Sequence, residues 1–269
     1  MLSYQHIYHA GGWFDVHKHA VLCALWQKMA GAGDSPLTFV DTHAGRGVYD
    51  LSAPEARKIA EYETGIGRLD PARLPPPFAP YVYALRQWKP YYPGSAGCIA
   101  ALKNPSDSMV LYEKHPGEIQ FLQGALGRMP NISIVQEDGH EGALAQAGGG
   151  ETLVVIDPSY EVKTEYQETA ETVRALLAKA PETKILVWYP VLAGGTRQEV
   201  LQAGWDDLET QPLCLEITAP LFPAPDKGMV RSGLLLFNAP AGFEKTATAI
   251  TEILARVLKS PVTKTKKTG

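Results

Sequence analysis

Three residues, Asp157, Pro158 and Tyr160, have types and a spacing suited to chemistry on a planar amine. They follow the apolar run 153–156, and because a proline after a strand fixes φ and ends the ladder, Asp157 should lie at a sheet edge. Its carboxylate and the Pro158 carbonyl could accept both hydrogens of a base's exocyclic amine, while Tyr160 stacks on the ring for ~1–3 kcal/mol. This positioning would serve methyl transfer from a sulfonium. The alternative is a corner whose aspartate only caps the next helix.

A turn containing glycine follows the first apolar run. Gly45 and Gly47 lie within residues 40–47, and glycine lets the backbone turn sharply and approach a ligand closely. Open parallel sheets bind ligands beyond the carboxyl ends of their strands. A dinucleotide-binding fingerprint would need a third glycine at position 50, which is Asp50. The turn therefore weakens the hypothesis of an NAD-dependent oxidoreductase without removing it.

Acidic residues end four successive predicted strands: Asp41, Glu113, Asp138 and Asp157. In a methyltransferase sheet each position has a use. The turn at Gly45 makes room for the methionine part of S-adenosylmethionine, Glu113 can accept hydrogen bonds from the ribose hydroxyls, and Asp138 can accept one from the adenine amino group. Packing alone does not explain acids at four apolar strand ends, so the combination predicts a cofactor site.

The elements that must position these residues alternate along the chain. Seven short apolar runs read as strands, most of them buried on both faces of a parallel sheet; they are 37–41, 109–113, 132–136, 153–157, 184–188, 213–217 and 233–237. Helical spacing of apolar residues occurs at 14–30, 117–128, 164–180 and 241–258. Alternating strands and helices predict an α/β fold. The last two strands have only a proline-rich connection, too short for a crossover helix, so they are predicted to be antiparallel.

Two segments depart from this alternation. Residues 42–108 separate the first two strands, far more than one crossover needs. We expect residues 52–94, rich in proline, to form an inserted helical subdomain beside the carboxyl edge of the sheet. Residues 259–269 carry four lysines and no apolar stripe, and they predict a flexible, solvated tail.

Composition limits the class of protein. The chain has 269 residues and a net charge of -4, so broad polybasic binding of nucleic acid is excluded, although a local basic patch is compatible with it. Three separated cysteines without a CxxC pair fit a reducing compartment. Neither a membrane span nor a secretory signal is present in the pattern, and we expect a cytoplasmic protein.

The chain closely resembles the bacterial 23S rRNA adenine-N6 methyltransferases of the RlmJ family. The matching stretches follow one another in order, and together they are specific, although Asp-Pro-x-Tyr alone occurs in many amino-methyltransferases. They are residues 1–6, 9–11, 15–19, 41–45, 91–95, 113–116, 138–139, 157–160, 163–166, 188–190 and 228–233. The resemblance therefore covers nearly the whole chain. It implies one methyltransferase domain over 1–269 with a Rossmann-like, class I methyltransferase fold: a seven-stranded, mostly parallel sheet with an antiparallel last strand and a helical insertion.

The resemblance also implies roles for individual residues. Asp157 is the expected catalytic aspartate, with Pro158 and Tyr160 beside it. The expected cofactor contacts are His19, His43, Ser95, Glu113, Asp138 and Gly139, to which the turn adds Gly45. On the substrate side Tyr4 lies in a mobile N-terminal motif with His6 beside it, and Lys18 is a further donor near the cleft. The family transfers a methyl group from S-adenosylmethionine to 23S rRNA without a metal, and we expect a monomer.

One position departs from the family pattern. The usual tetrapeptide is Asp-Pro-Pro-Tyr, and here Ser159 replaces the second proline, which returns backbone freedom to the turn. Ala96, where proline is usual, is a minor difference. The alternatives are a DNA adenine-N6 methyltransferase, an NAD-dependent oxidoreductase and, because of Ser159, a non-catalytic S-adenosylmethionine-binding module.

Histidines and basic residues raise two further hypotheses. Five of the seven histidines fall in the first 43 residues, but no carboxylate or cysteine accompanies them at metal-ligand spacing, so a metal site is disfavoured. RNA binding by a net negative chain needs a local patch. The candidate residues are Lys18, Arg46, Arg57, Lys58, Arg86 and Lys89, several of them in the insertion, which would then face the RNA.

Overall fold

The computed structural model describes residues 4–33, 35–195, 198–205, 207–220 and 228–259, except the side chain of Gln202. The predicted tail lies outside the described residues apart from Lys259, as do residues 1–3 and most of the proline-rich connection between the last two strands. Strand bounds are β1 Leu37–Asp41, β2 Val48–Tyr49, β3 Tyr92–Pro93, β4 Ser108–Tyr112, β5 Ile132–Val135, β6 Glu151–Ile156, β7 Lys184–Leu192, β8 Leu213–Thr218 and β9 Met229–Phe237. Helix bounds are α1 Trp13–Ala30, α2 Pro54–Ile59, α3 Ala79–Gln87, α4 Ser95–Leu102, α5 Glu118–Leu126, α6 Gly139–Gln146, α7 Glu165–Lys179, α8 Gln198–Ala203 and α9 Phe243–Lys259.

Seven strands form the central sheet in the order β5-β4-β1-β6-β7-β9-β8. Strands β5, β4, β1, β6 and β7 pair in parallel, whereas β9 is antiparallel to both β7 and β8. The predicted α/β class, the seven strands and the antiparallel last strand are confirmed. Helices cover both faces of a parallel sheet, so each strand is buried on both sides, and this explains why the strands are almost continuously apolar.

The chain order places a ligand crevice at β1. From β1 the chain moves outward to β4 and β5 and then returns to the other side of β1 with β6. Ligands of open α/β sheets bind at such a switch point, beyond the carboxyl ends of the strands. The residues that follow β1, β4 and β6 are therefore the ones that face the crevice.

Helix α1 is buried along most of its length. It packs against α3, α4 and α9, and an amphipathic helix on a surface would instead expose one face. Its first turns carry four buried polar residues, Asp15, His17, Lys18 and His19. Buried polar groups need partners, and Lys18 finds one in Asp157, at the carboxyl end of β6, while it also pairs with Asp15.

The segment 52–94 contains α2, α3 and three short 3-10 helices, Glu61–Glu63, Ile66–Arg68 and Pro76–Phe78. Phe78, Tyr81 and Ala84 from its second half belong to the main hydrophobic core. Strand β2 before it pairs with β3 at its end, Val48 with Pro93 and Tyr49 with Tyr92. This antiparallel pair was not predicted, because two residues in each strand, far apart in sequence, leave no periodic signal. None of the helices described is long and apolar enough to span a bilayer.

Candidate active site

A cavity of about 260 Å³ opens over the carboxyl ends of β1, β4 and β6. Twelve of the thirteen residues assigned to the site from the sequence line it. They are Tyr4, His6, Lys18, His19, His43, Gly45, Ser95, Glu113, Asp138, Gly139, Asp157 and Pro158. Residues far apart in sequence are therefore brought to one place by the parallel strands, and the thirteenth, Tyr160, is treated separately below.

Asp157 ends a network of side chains that begins at the N-terminus. Lys18 Nζ contacts Asp157 Oδ2 and lies 3.1 Å from Asp15 Oδ1, so one ammonium joins two carboxylates. Asp15 Oδ2 lies 2.8 Å from His6 Nε2, and His6 Nδ1 lies 2.9 Å from the Tyr4 hydroxyl. We call Tyr4, His6, Asp15, Lys18 and Asp157 the N-terminal network. It links the two predicted substrate-side residues to the predicted catalytic carboxylate.

The charges of this network are fixed by burial and pairing. Burial acts to lower the pKa of Lys18, but the carboxylates of Asp157 and Asp15 outweigh it and the pKa lies above its ordinary value. Burial acts to raise the pKa of Asp15, yet His6 and Lys18 hold it well below its usual range. Lys18 therefore places an ammonium beside the Asp157 carboxylate, and carboxylate oxygens are acceptors for the hydrogens of an amine.

The glycine turn after β1 is built around Glu113. Gly45 has φ +59, and its amide donates to Glu113 Oε2 at 2.9 Å. The amide of His115 donates to Glu113 Oε1 at 2.7 Å. A Cβ on residue 45 would lie 2.2 Å from the Tyr49 hydroxyl, so only glycine fits between turn and ring. Each oxygen of Glu113 keeps lone-pair capacity for a hydroxyl donor in the cavity.

Asp41 and Ser95 form a second polar corner. Ser95, the first residue of α4, donates its hydroxyl to Asp41 Oδ2 at 2.6 Å, and the His43 amide donates to Oδ1 at 3.1 Å. Burial raises the pKa of Asp41 to about 6 despite these bonds. Because the Ser95 proton points to Asp41, the hydroxyl oxygen is an acceptor for an ammonium in the cavity.

The β5–α6 turn closes the other end of the cavity. Asp138 is the N-cap of α6: its Oδ1 accepts from the His140 amide at 3.0 Å, while Oδ2 accepts from Lys114 Nζ at 3.0 Å. A Cβ on Gly139 would lie 2.0 Å from the Thr42 carbonyl oxygen, so the turn touches the β1 turn directly. His43 lies across the cavity edge, with its ring 5.2 Å from that of His140.

The two predicted histidine contacts are neutral. Burial lowers the pKa of His19 and of His43 to about 3 in each case. His19 Nδ1 shares a 2.9 Å hydrogen bond with the hydroxyl of Tyr92, and Thr42 Oγ1 lies 2.7 Å from His43 Nδ1. Because Nδ1 of each ring is already engaged, Nε2 of each neutral ring can make one hydrogen bond to a ligand, as donor or acceptor according to the tautomer, without adding charge.

Tyr160 requires a correction. It was predicted to face the cleft, but it does not line the cavity and its side chain is buried. Its φ of +54 turns the ring inward, 4.3 Å from the Tyr166 ring, and its hydroxyl donates to the Trp188 carbonyl at 2.8 Å. Trp188 does line the cavity, and so does Phe14, whose ring lies 5.9 Å from that of Trp188.

Two basic residues are also placed differently from the RNA-patch hypothesis. Arg46 is buried and makes a two-point ion pair with Glu118, at 2.9 and 3.0 Å, under the ring of Phe121. Lys18 is 3% exposed within the N-terminal network. Neither is available to bind phosphate on the surface, because each charge is already paired with buried carboxylates.

Comparison with known proteins gives the family. The family model described as "Ribosomal RNA large subunit methyltransferase D, RlmJ" matches residues 34–268. The chain belongs to the RlmJ family. It is 31% identical to "Ribosomal RNA large subunit methyltransferase J" of Haemophilus influenzae, over 97% of this chain and 95% of the relative, and 30% identical to the Escherichia coli protein of the same name, over 91% and 90%.

A solved structure agrees with the fold. Protein LPL1258 from Legionella pneumophila superposes with a TM-score of 0.85 at 30% identity, covering 93% of this chain and 94% of that one. The resemblance to the RlmJ family that the motifs indicated is confirmed.

Within the described residues, no group of three or more His, Cys, Asp or Glu side chains is arranged to hold a metal ion.

Several residues of the site were given no role from the sequence. Asp15 and Trp188 lay in matched RlmJ-family stretches but received no role. Phe14, Tyr49 and Glu165 were not singled out, although these three and Trp188 line the cavity. Asp15 and Lys18 are three residues apart on α1, so their shared helix face was a usable signal. The position of Trp188 depends on the pairing of β7, which carries no local marker.

Proposed function

We propose that this protein transfers the methyl group of S-adenosylmethionine to N6 of an adenine in 23S rRNA. One observation carries the proposal: the Asp157-Pro158 corner and the Glu113–Gly45 turn line the same cavity. Relatives named as ribosomal RNA large subunit methyltransferases share about 30% of its residues over nearly the whole chain. The alternative of an NAD-dependent oxidoreductase has no such support.

The cavity suits S-adenosylmethionine by its donors and by its shape. Gly45 and Gly139 let the two turns that border the cavity pack closely against Tyr49 and Thr42, and Glu113, which lines the same cavity, offers carboxylate oxygens to a ribose. His43 and Asp138 lie at the far end, where an adenine would rest, and Ser95 and Asp41 are near the turn. When bound, S-adenosylmethionine supplies an electrophilic methyl group on a positively charged sulfur.

Asp157 is the residue we assign to the target amine. In the reaction the N6–C bond forms as the S–C bond breaks, which leaves neutral S-adenosylhomocysteine, and the proton that N6 then loses passes to solvent. Because Lys18 occupies Asp157 Oδ2, the other carboxylate oxygen, Oδ1, is the acceptor for an N6 hydrogen, and the Pro158 carbonyl is the acceptor for the second. Hydrogen bonds of this kind raise the nucleophilicity of the amine and stabilise the positive charge that develops on N6.

The target base must be unpaired or flipped out to reach this corner. Trp188 and Phe14 supply apolar surface for its ring. Tyr160 as a stacking partner stays a prediction, and it requires the ring to leave Tyr166 and the Trp188 carbonyl.

The test is methylation of protein-free 23S rRNA transcript with isotope-labelled S-adenosylmethionine, read as labelled N6-methyladenosine by mass spectrometry. Wild type should label the rRNA, whereas Asp157→Ala should not, although calorimetry should still show that the variant binds S-adenosylhomocysteine. A duplex DNA substrate and an NAD titration run in parallel. Labelling of DNA but not rRNA, or equal background with wild type and Asp157→Ala, would overturn the proposal.

A further inference from the structure

The segment 71–106 has an unusual charge for this chain. It contains four basic residues and no Asp or Glu, in a protein whose net charge is -4. It also carries four tyrosines, at positions 81, 83, 91 and 92. Basic residues interleaved with aromatic ones are the composition that single-stranded nucleic acid binds.

The structure divides these side chains into two groups. Tyr81 and Tyr92 are fully buried, and their hydroxyls lie 3.2 Å apart next to His19. Tyr83 and Tyr91 are each 49% exposed, a large fraction for an aromatic side chain. The buried pair supports the cofactor side of the cavity, so the exposed pair needs a different explanation.

Basic residues lie beside the exposed tyrosines. Tyr83 and Arg86 are three apart on α3 and therefore share one helix face. Lys89 and Tyr91 follow in the turn that ends the helix, where the Tyr91 amide donates to the Trp88 carbonyl at 2.8 Å. Arg86 and Lys89 are both exposed. We call Tyr83, Arg86, Lys89 and Tyr91 the α3 face.

The α3 face adjoins the cavity. The indole Nε1 of Trp88 donates to the Gly97 carbonyl at 2.7 Å, which fixes the end of α3 against the first turn of α4. That turn begins at Ser95, and both Gly94 and Ser95 line the cavity. Tyr91 is three residues before Gly94, at most about 10 Å along an extended chain. A single nucleic-acid strand with one base in the cavity can therefore cross the α3 face.

We propose that the α3 face binds the unpaired RNA strand next to the target base: Arg86 and Lys89 contact phosphates, and Tyr83 and Tyr91 stack on bases. The inference rests on the proposed function for the identity of the substrate. Stacking requires bases that are free of a helix, since side chains cannot reach the ring faces of a duplex. Arg46 and Lys18 are excluded from this role by their ion pairs.

The test measures binding of a fluorescent single-stranded RNA by anisotropy at salt concentrations from about 50 to 200 mM. The double variant Arg86→Glu/Lys89→Glu should weaken binding at least tenfold. It should also reduce the slope of log K against log salt by about 1.4, because each single-strand phosphate contact contributes about 0.7. The matched control is Arg128→Glu/Lys245→Glu, which changes the charge equally.

Both control residues are exposed, and both lie near the amino ends of the parallel strands, away from the carboxyl ends where the cavity opens. Arg128 precedes β5, and Lys245 is in the first turn of α9, which follows the antiparallel β9. The control should bind RNA like wild type. Equal weakening by both double variants would mean non-specific attraction and would overturn the proposal.

Tyr91 tests the stacking part. Tyr91→Leu should weaken single-strand binding about tenfold, while Tyr91→Phe, which keeps the ring, should bind like wild type. Wild-type binding by Tyr91→Leu would contradict stacking. An equal loss on a blunt RNA duplex for Arg86→Glu/Lys89→Glu would contradict the preference for an unpaired strand.

Two outcomes separate this inference from the proposed function. If wild type labels 23S rRNA and Arg86→Glu/Lys89→Glu has an unchanged KM for it, the proposed RNA-binding role of the α3 face is wrong, whereas the methyltransferase assignment is retained. If wild type binds RNA through the α3 face but labels no adenine, the methyltransferase assignment is wrong, whereas the RNA-binding role of the α3 face is retained. S-adenosylhomocysteine affinity, which the double variant should retain, confirms that the protein is folded.

Discussion

At the residue scale the site depends on how Lys18 is held against Asp157. Lys18 is shared between Asp157 and the fully buried Asp15, and Asp15 in turn is held by His6 and by the Gly11 amide at 3.0 Å. Asp15 does not line the cavity, yet it holds both Lys18 and His6, which do. We therefore treat Asp15 as a positioning residue that connects the N-terminal segment to the Asp157 corner.

Asp15→Asn should lower kcat about 10- to 100-fold with little change in S-adenosylhomocysteine affinity. It should cost about 1–3 kcal/mol of unfolding free energy, because a charged partner of a buried group is lost. With one carboxylate fewer, the pKa of Lys18 falls, so the alkaline limb of the pH–rate profile should move to lower pH. Wild-type kcat and an unshifted profile would show that Asp15 only packs.

At the element scale, two turns must touch for the cavity to form. Gly139 lies against the Thr42 carbonyl, with no room for a Cβ. Gly139→Ala should force the β5–α6 turn away, lower the unfolding free energy by about 1–3 kcal/mol and weaken S-adenosylhomocysteine binding at least tenfold. Calorimetry and urea unfolding measure both.

Gly124 on α5 provides the matched control for that variant. A Cβ there meets nothing within 4 Å, so Gly124→Ala should leave cofactor affinity unchanged and add about 0.5–1 kcal/mol of stability. Equal cofactor affinity in the two alanine variants would contradict a close approach of the turns.

The Asp-Pro-Ser-Tyr turn shows how this chain manages without the usual second proline. Ser159 Oγ donates to Glu165 at 3.2 Å, and Glu165 Oε2 accepts from the Val162 amide at 3.2 Å, which ties the turn to the start of α7. Ser159→Ala should lower the unfolding free energy by about 0.5–1.5 kcal/mol. Ser159→Pro should be more stable than Ser159→Ala by about 0.4–1 kcal/mol, because proline restricts the unfolded chain. Thermal unfolding of wild type and the two variants measures these differences. Equal stability of wild type and Ser159→Ala would contradict a stabilising hydrogen bond between Ser159 and Glu165.

The sequence predicted the sheet well and the side-chain directions less well. The seven strands, the antiparallel last strand and the strand-end acids followed from apolar runs and from the resemblance. The direction of Tyr160 depends on a positive φ and on Tyr166 and Trp188 behind it. Likewise Lys18 is 139 residues from Asp157 in sequence. Such contacts form only when separate elements pack, and no local pattern encodes them.

At the scale of the whole molecule, burial of neutral histidines should control acid stability. Burial lowers the pKa of His17, His19 and His43 to about 3. Below about pH 6.5 these groups take up protons in the unfolded chain but not in the folded one, so stability falls as pH falls. Asp41, with its pKa raised to about 6, takes up a proton in the folded chain but not in the unfolded one over this range. It therefore offsets the contribution of about one of the three histidines. These four groups together should contribute a loss of about 2–3 kcal/mol per pH unit between pH 6 and 5.

Urea unfolding at pH 6 and pH 5 measures this loss. His17 lies between α1 and α9, bonded to Thr251 at 2.9 Å and away from the cavity. His17→Gln should remove about 1.4 kcal/mol per pH unit from the dependence. An unchanged pH dependence in that variant would mean that His17 is protonated in the folded state.

The most direct measurement of the central claim is a crystal structure of the protein with S-adenosylhomocysteine. The account predicts its ribose at Glu113, its adenine between His43 and Asp138, and its sulfur facing the Asp157-Pro158 corner. S-adenosylhomocysteine bound elsewhere, or with its sulfur turned away from Asp157, would contradict the claim that this cavity delivers a methyl group to an adenine.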